Sequence, residues 1–133
     1  MKIVILALIL ISQIYGKSYK DFGKEFQYEL NYEQAVAKAK NEKKDLMILM
    51  VSNFCPWCQK LEKVVLSKDK INTQVHKKYI PLILNKDEAN YPKQFETPMV
   101  PTVYFVDYKT EQIKSKVIGY NKRQNIINTI NNP

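Results

Sequence analysis

Cys55 and Cys58 are the two cysteines of this 133-residue chain, and only Pro56 and Trp57 separate them. Two thiols at that spacing can open and close a disulfide, provided the surroundings favour a thiolate on one of them. A bridge between residues so close in sequence closes a very small loop and restrains the unfolded chain little. A disulfide of so little structural use invites a chemical explanation. The competing uses of such a pair are an inert bridge or half of a metal site. A structural zinc ion needs four ligands, usually Cys or His, and His76 is the sole histidine. The residues therefore offer no zinc set. A dithiol holding a soft ion such as Cu(I) is the alternative from another functional class, and the missing further ligands argue against it.

The elements around the pair must expose one thiol and shelter the other. Leu46 to Val51 reads Leu-Met-Ile-Leu-Met-Val. An apolar run without alternation, bounded by polar breaks, predicts a strand covered on both faces. Ser52-Asn53-Phe54 is a loop. Pro56 suits a first helical position, where a missing N–H costs nothing. Leu61, Val64 and Val65 then repeat at helical spacing as far as about Leu66. The pair thus lies where a buried strand becomes a helix. The free N–H groups and positive end of that helix would stabilise a thiolate at Cys55. In comparable motifs a thiol pKa falls from ~8.5 to between ~3.5 and ~7.5. Cys58, one turn in, would resolve the mixed disulfide that Cys55 forms.

The rest of the chain supplies a frame. Residues 17–28 mix aromatics and charges and read as a tail or an extended lead-in. Asn31 caps a helix over about Tyr32–Lys43. Asp69 caps a short helix through Val75. Tyr79–Leu84 is a second buried strand, with Pro81 at its edge or first part. Tyr91–Phe95 forms a turn of helix. Val103–Val106 and Gln112–Ile118 are two further strands joined by a turn at Asp107–Thr110. Asn121 caps a last helix to about Ile130. Helical connections imply parallel pairing for the first strands, and a short turn implies an antiparallel last pair. The expected fold class is α/β, a central mixed four-stranded sheet flanked by helices.

A second chemical element is Val100-Pro101-Thr102, a proline-bearing segment just before a strand. Taken with the strand Leu46–Val51 and with Phe54-Cys55-Pro56-Trp57-Cys58 opening a helix, it resembles the thioredoxin-like superfamily over residues 31–131. The likeness is to small exported bacterial members that act as thiol–disulfide oxidoreductases. It implies a thioredoxin-like fold, a cis Pro101 facing the reactive cysteine, and a backbone near Val100 that pairs with a substrate strand. It implies that Cys55 is the nucleophile, that Cys58 resolves, and that Pro56 and Trp57 shape the site. Trp57 has two readings, as a substrate contact or as packing on the helix and the Pro101 loop. Tyr91, Phe95 and Met99 likewise read as an apolar groove or as core and loop packing. The chain departs from the family pattern in three places. Phe54 replaces the common tryptophan, Pro-Trp replaces Gly-Pro, and Leu49 stands where thioredoxins carry a buried acid that helps the second cysteine lose its proton.

Met1-Lys2, the apolar run Ile3–Ile11 and a polar end at Gly16 follow the plan of a secretory signal peptide. The run is short for a bilayer span of roughly 20 residues, and an uncleaved anchor is the alternative. The expected organisation is a signal peptide at 1–16, a lead-in at 17–30 and one domain at 31–131. The net charge is +8. The lysines are spread through the chain and form no nucleic-acid motif, so a solvated basic surface is expected. The function expected from all this is periplasmic disulfide reduction or exchange by a monomer acting on protein thiols and disulfides. The alternative within the same chemistry is an oxidase or isomerase. No bound cofactor or metal is needed beyond the Cys55–Cys58 pair itself. Electrons would come from a membrane thiol donor, because an exported compartment lacks a strong reducing pool.

Overall fold

The computed structural model describes residues 18–133; the leader expected at 1–16 lies outside the described residues. The elements run α1 (Tyr19–Phe26), α2 (Tyr32–Glu42), β1 (Asp45–Val51), α3 (Pro56–Leu61), α4 (Asp69–Lys78), β2 (Tyr79–Asn85), β3 (Thr102–Val106), β4 (Ile113–Ile118) and α5 (Arg123–Asn131). A π-helical turn, Glu62–Leu66, prolongs α3. Short 3₁₀ turns occupy Lys86–Glu88, Lys93–Phe95 and Tyr120–Lys122. Among the described residues no helix is long and apolar enough to cross a membrane.

The four strands form one sheet in the order β2-β1-β3-β4. β1 pairs parallel with β2, antiparallel with β3, and β3 pairs antiparallel with β4. The uninterrupted apolar run of β1 follows from its central place. Met47, Leu49 and Val51 face one buried cluster, with residues of α1, α3, α4 and α5. Leu46, Ile48 and Met50 face the other, beneath α2 and Phe95. Both cysteines belong to the first cluster. Pro81 is tolerated because β2 is an outer strand. Its carbonyl points away from β1 and accepts from the Glu29 N–H, so the missing N–H falls on the side away from β1. Asn31 caps α2 by accepting from the Gln34 N–H at 2.9 Å.

Four local expectations need correction. The segment read as an extended lead-in folds as α1, with the Ser18 N–H donating to Asp21 Oδ2 at its start. Phe22 is buried there, and Gly23 lets Leu30 approach, since a Cβ at that position would lie 2.7 Å from Leu30 Cδ2. In the helix after the cysteines, the π turn changes which face is buried: Val65 and Leu66 are buried, and Val64 is exposed. α4 begins at Asp69, with Lys68 as its cap. Asn121 caps nothing, because it lies inside a 3₁₀ turn and α5 begins after Lys122.

Candidate active site

β1 ends at Val51 and delivers the chain to a three-residue loop that a small polar network holds in place. The Asn53 N–H donates to Asp87 Oδ2 at 2.7 Å, and Asn85 Nδ2 donates to Asn53 Oδ1 at 2.9 Å. Asn85, the last residue of β2, is buried and also accepts from the Asp87 N–H. Phe54 then takes a left-handed conformation, φ 55°, with its ring fully exposed. That conformation is costly for a bulky side chain. It turns the chain so that the next residue opens α3.

Cys55 is the cap of α3, Pro56 is its first residue, and the two sulfurs are joined in a disulfide. The Cys58 N–H donates to Cys55 Sγ at 3.1 Å. In the reduced state the same donor would stabilise a thiolate at Cys55, together with the helix start. Cys55 is 8% exposed and Cys58 2%. Of the two residues, Cys55 is the more exposed. Both line a cleft of about 280 Å³ with Tyr19, Phe54, Gln59 and Glu62.

The Val100–Pro101 peptide bond is cis, as the family resemblance implied. Thr102 Oγ1 donates to the Met99 carbonyl at 2.6 Å and lies 3.2 Å from Thr97 Oγ1, which fastens the turn before β3. The Gly119 N–H donates to the Pro101 carbonyl at 2.8 Å. Gly119, at φ 88°, passes the chain to Tyr120. Tyr120 stacks on Trp57, with ring centroids 5.4 Å apart. The sequence Pro101–Gly119–Tyr120–Trp57 therefore links the cis-proline turn to the cysteine helix. One face of Trp57 packs on Tyr120 and the residue is still half exposed. Lys60 Nζ sits 5.1 Å above its ring. Val100 is partly buried and packs on both core clusters. Phe95 is core and Tyr91 packs beside it, while Met99 is exposed.

Leu49 is fully buried in the cysteines' cluster, between Ile83 of β2 and Val103 of β3. His76 Nε2 lies 2.8 Å from the Phe26 carbonyl and ties α4 to α1. Among the described residues no group of three or more His, Cys, Asp or Glu could hold a metal ion. Residue-by-residue reading passed over Asn85, Asp87, Tyr120 and Glu62. For Glu62 a signal was present, because Cys58, Leu61, Glu62 and Val65 fall at i, i+3, i+4 and i+7. An acid on that buried stripe is unusual.

The architecture and the dithiol place this chain in one class, the thioredoxin-like proteins. The model of a family described as thioredoxin-like matches residues 27–107, more than half of the chain, and the chain belongs to that family. An uncharacterized protein of Borreliella burgdorferi is 28% identical over 127 residues, 90% of this chain and 52% of that protein. Anterior gradient protein 3 of Xenopus tropicalis is 26% identical over 106 residues, covering 79% of this chain and 64% of its own length. The chain thus spans between half and two thirds of these relatives. Among solved structures, a thioredoxin from Thermus thermophilus superposes with a TM-score of 0.66 at 20% identity, over 78% of this chain and 84% of that one. The oxidised C-terminal domain of Neisseria meningitidis DsbD gives 0.59 at 15% identity, over 77% and 97%. At these identities the structural likeness concerns the fold.

Proposed function

We propose that this protein is an exported thiol–disulfide oxidoreductase that reduces or exchanges disulfides in protein substrates. The observation that carries this reading is a disulfide that caps a helix, lines an open cleft and keeps one sulfur within reach. In the reduced protein the Cys55 thiolate attacks a substrate disulfide, forming one S–S bond and releasing one substrate thiolate. Cys58 then attacks Cys55 Sγ, the mixed disulfide breaks, and the second substrate sulfur leaves as a thiolate. The two cysteines are oxidised by two electrons and the substrate disulfide is reduced. Exposed Phe54, Trp57 and Met99 offer apolar contacts to an extended substrate segment, and the backbone at Val100 offers it hydrogen bonds. The apolar start Ile3–Ile11 supports export, and an exported reductase needs a membrane thiol donor to recharge it.

Trapping in cells tests the roles of the two sulfurs. Cys58→Ser should accumulate mixed disulfides with partner proteins, and Cys55→Ser should accumulate none. The reverse pattern, or no adducts from either variant, would overturn the reading.

A further inference from the structure

The resolving step has a proton to dispose of. Cys58 is enclosed, and burial in apolar surroundings holds a thiol in its protonated form. It can close the mixed disulfide quickly only if a nearby group takes that proton. β1 offers none, since the residues it contributes to the cysteines' cluster are Met47, Leu49 and Val51. The helix does offer one. The Glu62 N–H donates to the Cys58 carbonyl, which sets the two residues one α-helical turn apart. Side chains so related lie on the same face, about 5–6 Å apart at Cβ. A helical side chain also leans back toward the N-terminus, here toward the turn that carries Cys58.

Glu62 is only 7% exposed. Among the described residues, none donates a hydrogen bond or offers a cation to its carboxylate. It lines the cleft that holds both sulfurs, and also an adjoining cavity of about 590 Å³ beside Phe22 and Phe26. The titratable groups around these two spaces are Tyr19 and Glu25 of α1, Lys63 and the two cysteines. Burial first, and then the nearby Glu62 charge, push the Tyr28 pKa up, and among the described residues its buried hydroxyl has no hydrogen-bond partner. Burial pushes the Glu62 carboxyl from 4.5 to about 7. A group with that affinity for protons can take one and return it near neutral pH.

Building on the oxidoreductase reading, we infer that Glu62 is the proton acceptor for Cys58, directly or through one water in the shared cleft. The Cys58 Sγ proton passes to the Glu62 carboxylate as the sulfur bonds to Cys55 Sγ. The departing substrate sulfur leaves with the bonding pair as a thiolate. In the reverse direction Glu62 returns the proton to Cys58.

Reaction of the reduced protein with 2,2′-dithiodipyridine separates the two steps. Attack by Cys55 releases one thiopyridone at a rate proportional to the reagent. Closure by Cys58 releases a second at a rate independent of it. Glu62→Gln should leave the first phase within about twofold of wild type and slow the second at least tenfold at pH 7. The wild-type second phase should rise through an inflection near pH 7. In the Gln variant that inflection should move toward the ordinary thiol range, about 8.5. Glu62→Asp should restore part of the rate. Equal second phases with equal pH profiles in wild type and Glu62→Gln would remove Glu62 from the step and leave the oxidoreductase reading intact. A wild type that releases no second thiopyridone would overturn both.

Discussion

Replacing Glu62 by Gln should stabilise the oxidised protein at alkaline pH and leave it unchanged at acid pH. The folded carboxyl has a pKa of about 7, raised by burial from 4.5. Between those values the native state binds more protons than the unfolded chain, so unfolding free energy falls as pH rises. The loss begins near the unfolded value and is complete once pH has passed the folded one. A shift of that size corresponds to about 3 kcal/mol at full strength. Glu62 borders water in the cleft, and screening there reduces the expected figure to ~1–2 kcal/mol. Gln keeps the shape and never carries the charge. Urea titrations of wild type and Glu62→Gln should therefore agree at pH 4.5 and diverge by ~1–2 kcal/mol at pH 8, with Gln the more stable. Comparing the two proteins cancels the other titrating groups, and the oxidised state removes the thiols from the titration. A difference that does not vary with pH, or a Gln variant weaker at pH 8, would refute the reasoning. Either result would mean that the folded protein holds the Glu62 charge in a compensated site.

Leu49→Asp should lower stability by ~3 kcal/mol or more, because a carboxylate cannot be compensated between Ile83 and Val103. The deficit should shrink at low pH, where the acid is neutral, and urea midpoints within error of wild type at pH 8 would contradict it. Trp57→Ala and Tyr120→Ala, singly and together, should show a coupling of ~0.5–1.5 kcal/mol in a double-mutant cycle, the worth of an aromatic pair beyond its buried area. Additive losses would show that the stack does not bind the cysteine helix to the turn after β4.

Much of the frame was legible because it rests on burial. The run Leu46–Val51 lacks alternation, and only a strand covered on both faces tolerates that. β1 is such a strand, flanked by β2 and β3 with a core cluster on either side. Pro81 signalled an outer strand by the backbone donor it lacks. α1 escaped notice for the opposite reason. It is eight residues long, carries Gly23 in its middle and buries only Phe22 and Gly23. Tyr19, Phe22 and Phe26 do fall at i, i+3 and i+7, but a helix that short is marginal by itself and leans on tertiary packing, here of Phe22 in the core and Leu30 against Gly23. Val64 was misplaced because periodicity assumes an unbroken α-helix. The π turn adds a residue to one turn and rotates everything after it.

The site divides along the same line. Cys55, Cys58 and Pro101 were legible because their residue types are rare and their chemistry is specific. Tyr120 and Asn85 were not, since each works only through a neighbour that the fold supplies. Glu62 lies between these cases. Its place on the stripe of Cys58, Leu61 and Val65 is visible in the sequence, but a lone acid there reads as an exposed residue until burial is known. In this chain positions 49 and 62 differ in their access to water. Leu49 is fully buried between Ile83 and Val103. Glu62 borders a cleft of about 280 Å³ that also holds both sulfurs. A proton taken there from Cys58 can pass to water with the core closed. On the inference drawn above, Leu49 and Glu62 together place proton exchange at the open side of the helix and not on the sheet.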